Sequence, residues 1–190
     1  MSTHDENSGR DLAIFVGGIA VGLIGSRLLP PIIARVSGAG LVRVGGDPFS
    51  RLIDDHRRIL AVLDEMVAAP SGSGVERARL FMSLKRKLAK HAMAEEDVVY
   101  PLLDSQSGQA GEAKHLYSEH ADMKILLYRL EELLKSGEDW SEPARSLRDS
   151  IRHHSQDEET NVFPQLREKV SKRQLPAVSG LIRREEAMVL

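Results

Sequence analysis

The chain contains no cysteine. This excludes disulfide bonds, thiolate metal sites, iron–sulfur clusters and cysteine nucleophiles. Any metal that the protein binds must therefore be held by nitrogen and oxygen atoms. Aromatic residues are also scarce, at 4% of the 190 residues, whereas 42% of the residues are hydrophobic. Because leucine and alanine, which favour helices, supply much of that fraction, the composition indicates an all-α protein with an ample core.

The chain also lacks an excess of positive charge. Its 26 lysines and arginines are balanced by 28 acidic residues, for a net charge of -2. Proteins that bind nucleic acids are usually basic, with lysine and arginine clustered on one face. We therefore predict no nucleic-acid partner. We interpret the local basic stretch at residues 77–90 as a solvated helix face.

Only one long apolar run is present, near the N-terminus. Residues 1–10 are polar and are predicted to be a disordered leader. Residues 12–26 are apolar without interruption, and the run reaches residue 29 if Arg27 extends its charge to the membrane surface. A membrane-spanning helix needs about 20 residues. We predict an apolar helix over residues 11–36 that anchors the protein in a membrane. The alternatives are a hydrophobic hairpin or oligomerisation tail, and a signal peptide.

The apolar segment carries two further signals. Gly18, Gly22 and Ser26 are four residues apart, a spacing that lets two membrane helices approach closely and predicts a homo-oligomer. Positive residues then follow on the C-terminal side, at Arg27, Arg35, Arg43 and Arg51. The positive-inside rule therefore predicts a cytoplasmic domain that is tethered to the inner face of the membrane.

The rest of the chain is predicted to form a helical bundle. Residues 37–46 are a glycine-rich linker, and Asp47-Pro48 is typical of a helix start, so the domain is predicted to cover residues 47–190. Turn signals divide it into four long helices joined by short loops, which is typical of an up-down-up-down four-helix bundle. A short C-terminal helix follows. The predicted helices are residues 48–69, 74–103, 109–135, 141–170 and 174–188.

The second and fourth helices contain an internal repeat. HAMAEEDVVYP begins at His91 and HSQDEETNVFP begins at His154, so both read His, three residues, Glu-Glu, three residues, an aromatic residue and proline. Helical spacing places His91 and Glu95 on the apolar stripe of one helix, and His154 and Glu158 on the stripe of the other. Such a long matched pattern is hard to obtain by chance.

The first and third helices each add one histidine to the interior. His56 lies on the stripe of Ile59 and Leu63, and His120 lies on the stripe of Met123 and Leu127. Four histidines and two glutamates therefore converge on one core. Burying so many polar groups without compensation would exhaust a folding stability of about 5–15 kcal/mol. Bound metal cations would compensate them.

The ligand set favours two ions over one. A single zinc ion usually takes four ligands and would leave some of these residues over. Imidazole-rich sites suit zinc, copper, iron and nickel. Six ligands divide naturally between two ions, with two histidines on each ion and the two carboxylates available as bridges. The predicted metal ligands are His56, His91, Glu95, His120, His154 and Glu158, and we predict no separate catalytic residue.

Residues 51–170 resemble the hemerythrin-like HHE cation-binding family. The resemblance rests on Asp55-His56, on Glu119-His120 and on the two repeats from His91 to Pro101 and from His154 to Pro164. It implies an oxo- or hydroxo-bridged centre of two iron ions that interacts with dioxygen or a related small oxidant. By resemblance, His56 and His91 would hold one iron, His120 and His154 the other, and Glu95 and Glu158 would bridge them.

One position departs from the oxygen-carrying members of that family. Those proteins have a fifth histidine one turn before the ligand of the third helix, where this chain has Leu116. His115 lies off the helix stripe and is predicted to be on the surface. The departure argues against simple oxygen carriage. It favours sensing or processing of dioxygen, peroxide, nitric oxide or iron.

Several neighbouring residues have two interpretations each. His153 competes with His154, and the repeat favours His154. Glu96 and Glu159 could accept hydrogen bonds from ligand histidines or face solvent. Tyr100 is predicted to be a core aromatic residue, with its hydroxyl near the site as the alternative.

Three functions fit this prediction. The first is a protein that binds or senses a small oxidant such as dioxygen, peroxide or nitric oxide. The second is an enzyme that decomposes peroxide or nitric oxide at the same centre. The third is an iron-handling or iron-storage protein.

Overall fold

A computed structural model describes residues 46–69 and 72–189. The predicted leader, nearly all of the predicted linker and the apolar helix with its Gly18, Gly22 and Ser26 face lie outside the described residues. Within the described ranges, no helix has both the length and the apolar character needed to cross a membrane.

The described part of the chain is helical, as predicted, and its long helices match the sequence pattern closely. We number the α-helices in chain order and treat two short π-helical turns separately. The α-helices are α1 (Pro48–Ala68), α2 (Gly74–Ala94), α3 (Tyr100–Ser107), α4 (Ala110–Ser136), α5 (Ser141–Asp157), α6 (Phe163–Lys169) and α7 (Leu175–Met188).

The bundle consists of four long helical segments, which we call rods, and two of these rods contain more than one helix. The first π turn, Glu95–Val99, joins α2 to α3, and the second π turn, Glu158–Val162, joins α5 to α6. The sequence predicted uninterrupted helices over residues 74–103 and 141–170, so it gave the extent of these rods approximately and did not anticipate their π turns.

Local chemistry explains where the helices begin and end. The Asp47 side chain accepts hydrogen bonds from the backbone N–H groups of Phe49 and Ser50 and caps α1. Ser73 caps α2 in the same way. Gly108 and Gly137 follow α3 and α4 with φ angles of 66° and 77°, a left-handed conformation in which a side chain would be strained.

The four rods pack so that the metal-ligand candidates lie in the middle. Helix α1 contacts α2 and α5, and α4 contacts the same two helices from the other side. One apolar cluster contains Leu52, Val98, Leu116 and Val162, and a second contains Ile59, Leu84, Met123 and Ile151. On each rod, the predicted ligands lie between a residue of the first cluster and a residue of the second.

Helix α7 is an added element that packs across one end of the bundle. It contacts α1, α2 and the first π turn. Val178 and Ile182 are fully buried against them, and the Glu186 carboxylate accepts a hydrogen bond of 2.9 Å from Nε of Arg51. The predicted C-terminal helix is therefore part of the folded domain.

Candidate metal centre

The structure brings all six predicted ligand residues together in the interior. They come from α1, α2, α4, α5 and the first residues of the two π turns. None exposes more than 4% of its surface: His56, His91, Glu95, His120, His154 and Glu158.

One group of donor atoms is formed by His56, His91, Glu95 and Glu158, whose closest nitrogen and oxygen atoms all lie within 4.8 Å of one another. Nε2 of His91 is 3.0 Å from Oε1 of Glu95. Nε2 of His56 is 3.2 Å from Oε2 of Glu158 and 3.7 Å from Oε1 of Glu95. Four inward-facing donors thus surround one point.

A second group of donor atoms is formed by Glu95, His120 and His154. Nε2 of His120 is 3.4 Å from Oε2 of Glu95 and 3.2 Å from Nε2 of His154. Glu95 therefore belongs to both groups, with Oε1 facing the first and Oε2 facing the second. Glu158 also lies between them, because its Oε2 atom is 3.5 Å from Nε2 of His154.

Several buried polar atoms of this cluster have no hydrogen-bond partner among the described residues. They are Nε2 of His56, both ring nitrogens of His91, Oε1 of Glu95 and Oε2 of Glu158. Leaving a buried donor or acceptor unsatisfied costs about 1–3 kcal/mol. A cation bound between Nε2 of His56, Nε2 of His91 and the two carboxylate oxygens would satisfy these four atoms, since imidazole nitrogens and carboxylate oxygens are metal ligands. The residues present therefore fit a metal centre.

The π turns place the two glutamates. The backbone N–H of Tyr100 donates to the carbonyl of Glu95, five residues earlier, and that of Phe163 donates to the carbonyl of Glu158. The next residue in each case is a proline, Pro101 or Pro164. Proline has no N–H to donate, and its ring collides with the carbonyl four residues earlier in an α-helix. The repeat therefore encodes a wider turn at each glutamate, a feature often found at functional sites.

A second layer of carboxylates holds three of the histidine rings. Nδ1 of His56 is 2.9 Å from Glu159, Nδ1 of His120 is 2.9 Å from Glu96, and Nδ1 of His154 is 2.7 Å from Glu119. Each contact directs Nε2 of the ring inward, as in metal sites where a carboxylate orients the ligand histidine.

These contacts decide between the two interpretations of Glu96 and Glu159, and they add Glu119 to the residues of the site. Glu96 and Glu159 contact histidines of the cluster. In the sequence, Glu119 stands out only as the neighbour of His120. Its contact with His154, which lies on another helix, cannot be predicted from helix periodicity. The available signal was that three of the six candidate ligands, Glu95, His120 and Glu158, each have a glutamate as a direct neighbour in the chain.

The Tyr100 hydroxyl lies inside the site. It is 2.9 Å from Nε2 of His120 and donates a hydrogen bond of 3.1 Å to Oε1 of Glu158. Burial, together with the charges of Glu158 and Glu95, raises the pKa of Tyr100 well above its usual value. The equivalent residue of the second repeat, Phe163, stacks on the ring of His56 with an interplanar angle of 8°. The two repeats are therefore chemically unequal here.

Without bound metal, burial and the neighbouring side chains shift the pKa values of several residues in the cluster. Burial lowers the pKa of His56, but the carboxylates of Glu158 and Glu95 outweigh burial and raise it to about 10. Burial likewise lowers the pKa of His120, and hydrogen bonds to Glu95 and Glu96 raise it to about 9. Burial and the neighbouring charge of Glu95 raise the pKa of Glu158.

The remaining histidines of the domain lie on the surface. The His115 side chain is 60% exposed and that of His153 is 79% exposed, and both approach Glu119 from outside. The choice of His154 over His153 as the inward residue agrees with the structure, as does the surface position of His115.

Comparison with known families decides the class of the domain. The family model for the hemerythrin HHE cation-binding domain matches residues 47–166. The chain belongs to this hemerythrin family. The predicted resemblance is confirmed, and the matched range covers three rods and all but the last three residues of the fourth, but not α7.

Most of the chain is also similar to part of a longer protein. A protein named DNA nickase from Nostoc sp. is 29% identical over 149 residues, which cover 75% of this chain and 42% of the relative. The chain thus spans less than half of that protein. No solved structure is significantly similar to this hemerythrin chain.

Proposed function

We propose that the bundle holds two iron ions and binds or senses dioxygen or a related small oxidant. The observation that carries this proposal is the position of Glu95, whose two carboxylate oxygens face two separate groups of buried donors. A carboxylate shared between two groups is suited to bridging two cations. The nitrogen-rich donor set without sulfur is compatible with iron.

Each residue then has a defined role. His56 and His91 would hold one ion, His120 and His154 would hold the other, and Glu95 and Glu158 would be shared between the two ions. Glu159, Glu96 and Glu119 fix the ring orientations from outside. When bound, the ions supply the ability to bind and reduce a small oxidant. The Tyr100 hydroxyl supplies a hydrogen-bond donor among the donor atoms of both groups.

The lack of a fifth histidine supports sensing or processing over simple oxygen carriage. Leu116 is fully buried in the apolar cluster beside the site and contributes no donor atom. Tyr100 is the additional polar side chain of the site, and a phenol can donate a hydrogen bond where leucine cannot. This chemistry keeps decomposition of peroxide or nitric oxide as the enzymatic alternative.

The experiment that tests the proposal is metal analysis of protein purified without added metal. We expect about two irons per chain, with loss of iron in His91→Ala and none in the surface variant His115→Ala. One zinc per chain, or a folded protein without metal, would refute the dinuclear assignment. Iron uptake well beyond two ions would favour storage, and sustained consumption of peroxide or nitric oxide would favour an enzyme.

The relative named DNA nickase raises a second candidate, contact with DNA phosphates. The observation that favours it is a surface groove between α1, α2 and α7, lined by two acidic side chains, Asp55 and Glu186, and by five cationic ones. These are Arg51, Arg58, Lys87, Lys90 and Arg183. Such an excess of positive charge attracts phosphates. The deeply buried ligand cluster, however, offers a DNA strand no access to the ions.

DNA binding is tested by fluorescence anisotropy with a labelled duplex, and nicking by relaxation of supercoiled plasmid. Lys87→Glu with Lys90→Glu should abolish binding if the groove holds DNA. The same charge change at the exposed residues Lys114 and Lys172 is the control. No binding by the unaltered protein would support the sequence prediction of no nucleic-acid partner.

A further inference from the structure

Helix α4 has an apolar face that no other described element covers. Among the described residues, six large hydrophobic side chains are exposed, and three of them, Tyr117, Ile125 and Tyr128, lie on this helix. Ile125 and Tyr128 expose 60% and 63% of their surface. Tyr117 is less exposed, because its hydroxyl donates to the backbone carbonyl of Glu96 in the first π turn. Exposed apolar side chains that occur together, rather than singly, mark interaction surfaces.

Ile125 and Tyr128 belong to a regular stripe along the outside of α4, which we call the α4 stripe. Its members are exposed and are separated by four, three, four, three and four residues: Lys114, Ser118, Ala121, Ile125, Tyr128 and Glu132. This spacing defines one face of a helix, and the face is opposite to the buried Leu116, Met123 and Leu130. The same spacing occurs in coiled coils, where such a stripe packs against a second helix.

The middle of the α4 stripe is complementary in shape to a second copy of itself in the antiparallel direction. If Ala121 of one copy faces Ile125 of the other, the same alignment pairs Ser118 with Tyr128. Each contact then occurs twice across a two-fold axis, and each large side chain meets a small one, so that the two helices can interdigitate. A parallel alignment would instead place Ile125 against Ile125 and Ala121 against Ala121. The side-chain sizes therefore favour an antiparallel pair.

The charges at the ends of the α4 stripe favour the same alignment. It places Lys114 of each copy opposite Glu132 of the other. Glu132 accepts a hydrogen bond of 2.9 Å from Lys135 on its own helix, and a carboxylate can accept further ones. A parallel pair would place lysine against lysine and glutamate against glutamate, which is unfavourable. Asp122 and Lys124 flank the centre of the stripe on its two sides and add no net charge there.

We propose that the α4 stripe binds a second copy of this chain in an antiparallel, two-fold symmetric contact. The proposal does not depend on bound metal, and it goes beyond the proposed metal function. It is also separate from the homo-oligomer predicted for the apolar N-terminal segment. Because His120 lies on the inner side of the same helix, the contact brings two candidate metal centres to opposite sides of one pair of helices.

Disulfide formation between introduced cysteines tests the contact and its alignment. The natural chain has no cysteine, so every disulfide must come from an introduced residue. Full-length Lys114→Cys protein, mixed with full-length Glu132→Cys protein in a mild detergent and gently oxidised, should give a disulfide-linked dimer in much higher yield than either variant alone. Lys114→Cys mixed with Ala121→Cys should not, because the proposed alignment separates these positions by about 16 Å along the helix, which is too far for a disulfide.

A charge placed in the α4 stripe tests whether its apolar residues form the contact. Ile125→Glu, added to both cysteine variants, should abolish the disulfide-linked dimer, because the contact would bury an unpaired carboxylate. Val75→Glu, the same kind of change at an exposed apolar residue of α2, is the control and should leave the yield unchanged. Efficient linkage of Lys114→Cys to itself would indicate a parallel pair and overturn the proposal. No linkage in either mixture would mean that another segment or another protein covers the stripe, and would overturn it equally.

Discussion

Neighbouring glutamates occupy opposite sides of the same histidines. Glu95 is fully buried and faces the donor atoms of both groups. Glu96, one residue later, points outward to Nδ1 of His120 and to Lys124. One residue advances an α-helix by about 100°, so an acidic pair can serve both the inside and the outside of one metal site. Glu158 and Glu159 repeat the arrangement around His56.

We expect Glu95→Gln to lower the metal content of both donor groups. The substitution keeps the shape of the side chain but removes the negative charge that the two groups share, which leaves bound cations undercompensated. The metal content, measured by mass spectrometry, and the melting temperature should both be lower than in the unaltered protein. Full metal loading of Glu95→Gln would contradict the bridging role. His115→Ala, which alters a surface histidine, is the control and should change neither quantity.

Glu119→Gln should weaken metal binding without abolishing it. Glu119 touches Nδ1 of His154 and is not itself in either donor group. Loss of a carboxylate that orients a ligand histidine typically lowers metal affinity by about 10–100-fold. Competition with a chelator measures this affinity. Glu112→Gln on the same helix is the matched control, and equal affinities for the two variants would show that the contact with His154 has no role.

The metal-free protein should lose stability as the pH rises above neutral. The folded-state pKa values of His56 and His120, about 10 and about 9, lie above the ordinary value of 6.5. Their protonation therefore stabilises the fold fully below pH 6.5, and this contribution is lost as the pH rises through 9 and 10. The loss of stability is measured by thermal unfolding of chelator-treated protein at pH values from 6.5 to 10. A melting temperature that stays constant over this range would contradict it.

At the scale of helices, the sequence predicted correctly which candidate residues face the interior, but it did not predict the local backbone geometry of the π turns. The stripes of α1, α2, α4 and α5 placed all six candidate ligands inside, because a spacing of three and four residues defines one face of a helix. The π turns were missed because the same pattern extends to either side of them. Pro101 and Pro164 were visible in the repeat, but only the structure shows how the backbone accommodates them. Contacts between helices, such as Glu119 with His154, need the assembled bundle.

Helix α7 should contribute to stability although it lies beyond the matched hemerythrin domain. Ile182 is fully buried against the bundle, and replacing such a residue by alanine typically costs about 2–5 kcal/mol of unfolding free energy. Chemical denaturation of Ile182→Ala should show a loss of this size. Arg184→Ala, an exposed change two residues later, should stay within about 0.5 kcal/mol. Equal stabilities would mean that α7 is only loosely attached.

For the whole molecule, we propose that residues 11–36 tether the bundle to the inner face of a membrane. The support is the apolar run together with the arginines that follow it. Deleting residues 1–45 should move the protein from the membrane fraction to the soluble fraction after cell lysis. Its iron content should stay the same, because the described donor atoms all follow residue 46. A full-length chain found only in the soluble fraction would refute the tether.

The wide spacing of the donors along the chain also sets when the centre can form during synthesis. The first group needs Glu158 and the second needs His154, and both residues follow three completed rods. A ribosome that has made α1, α2 and α4 has therefore assembled neither group. Because chains emerge N-terminus first, a complete donor group is present only after the fourth rod has been made. Any factor that delivers metal to a complete donor group would act on a nearly finished chain. A chain that is stalled or truncated before the fourth rod would carry histidines that belong to no complete donor group.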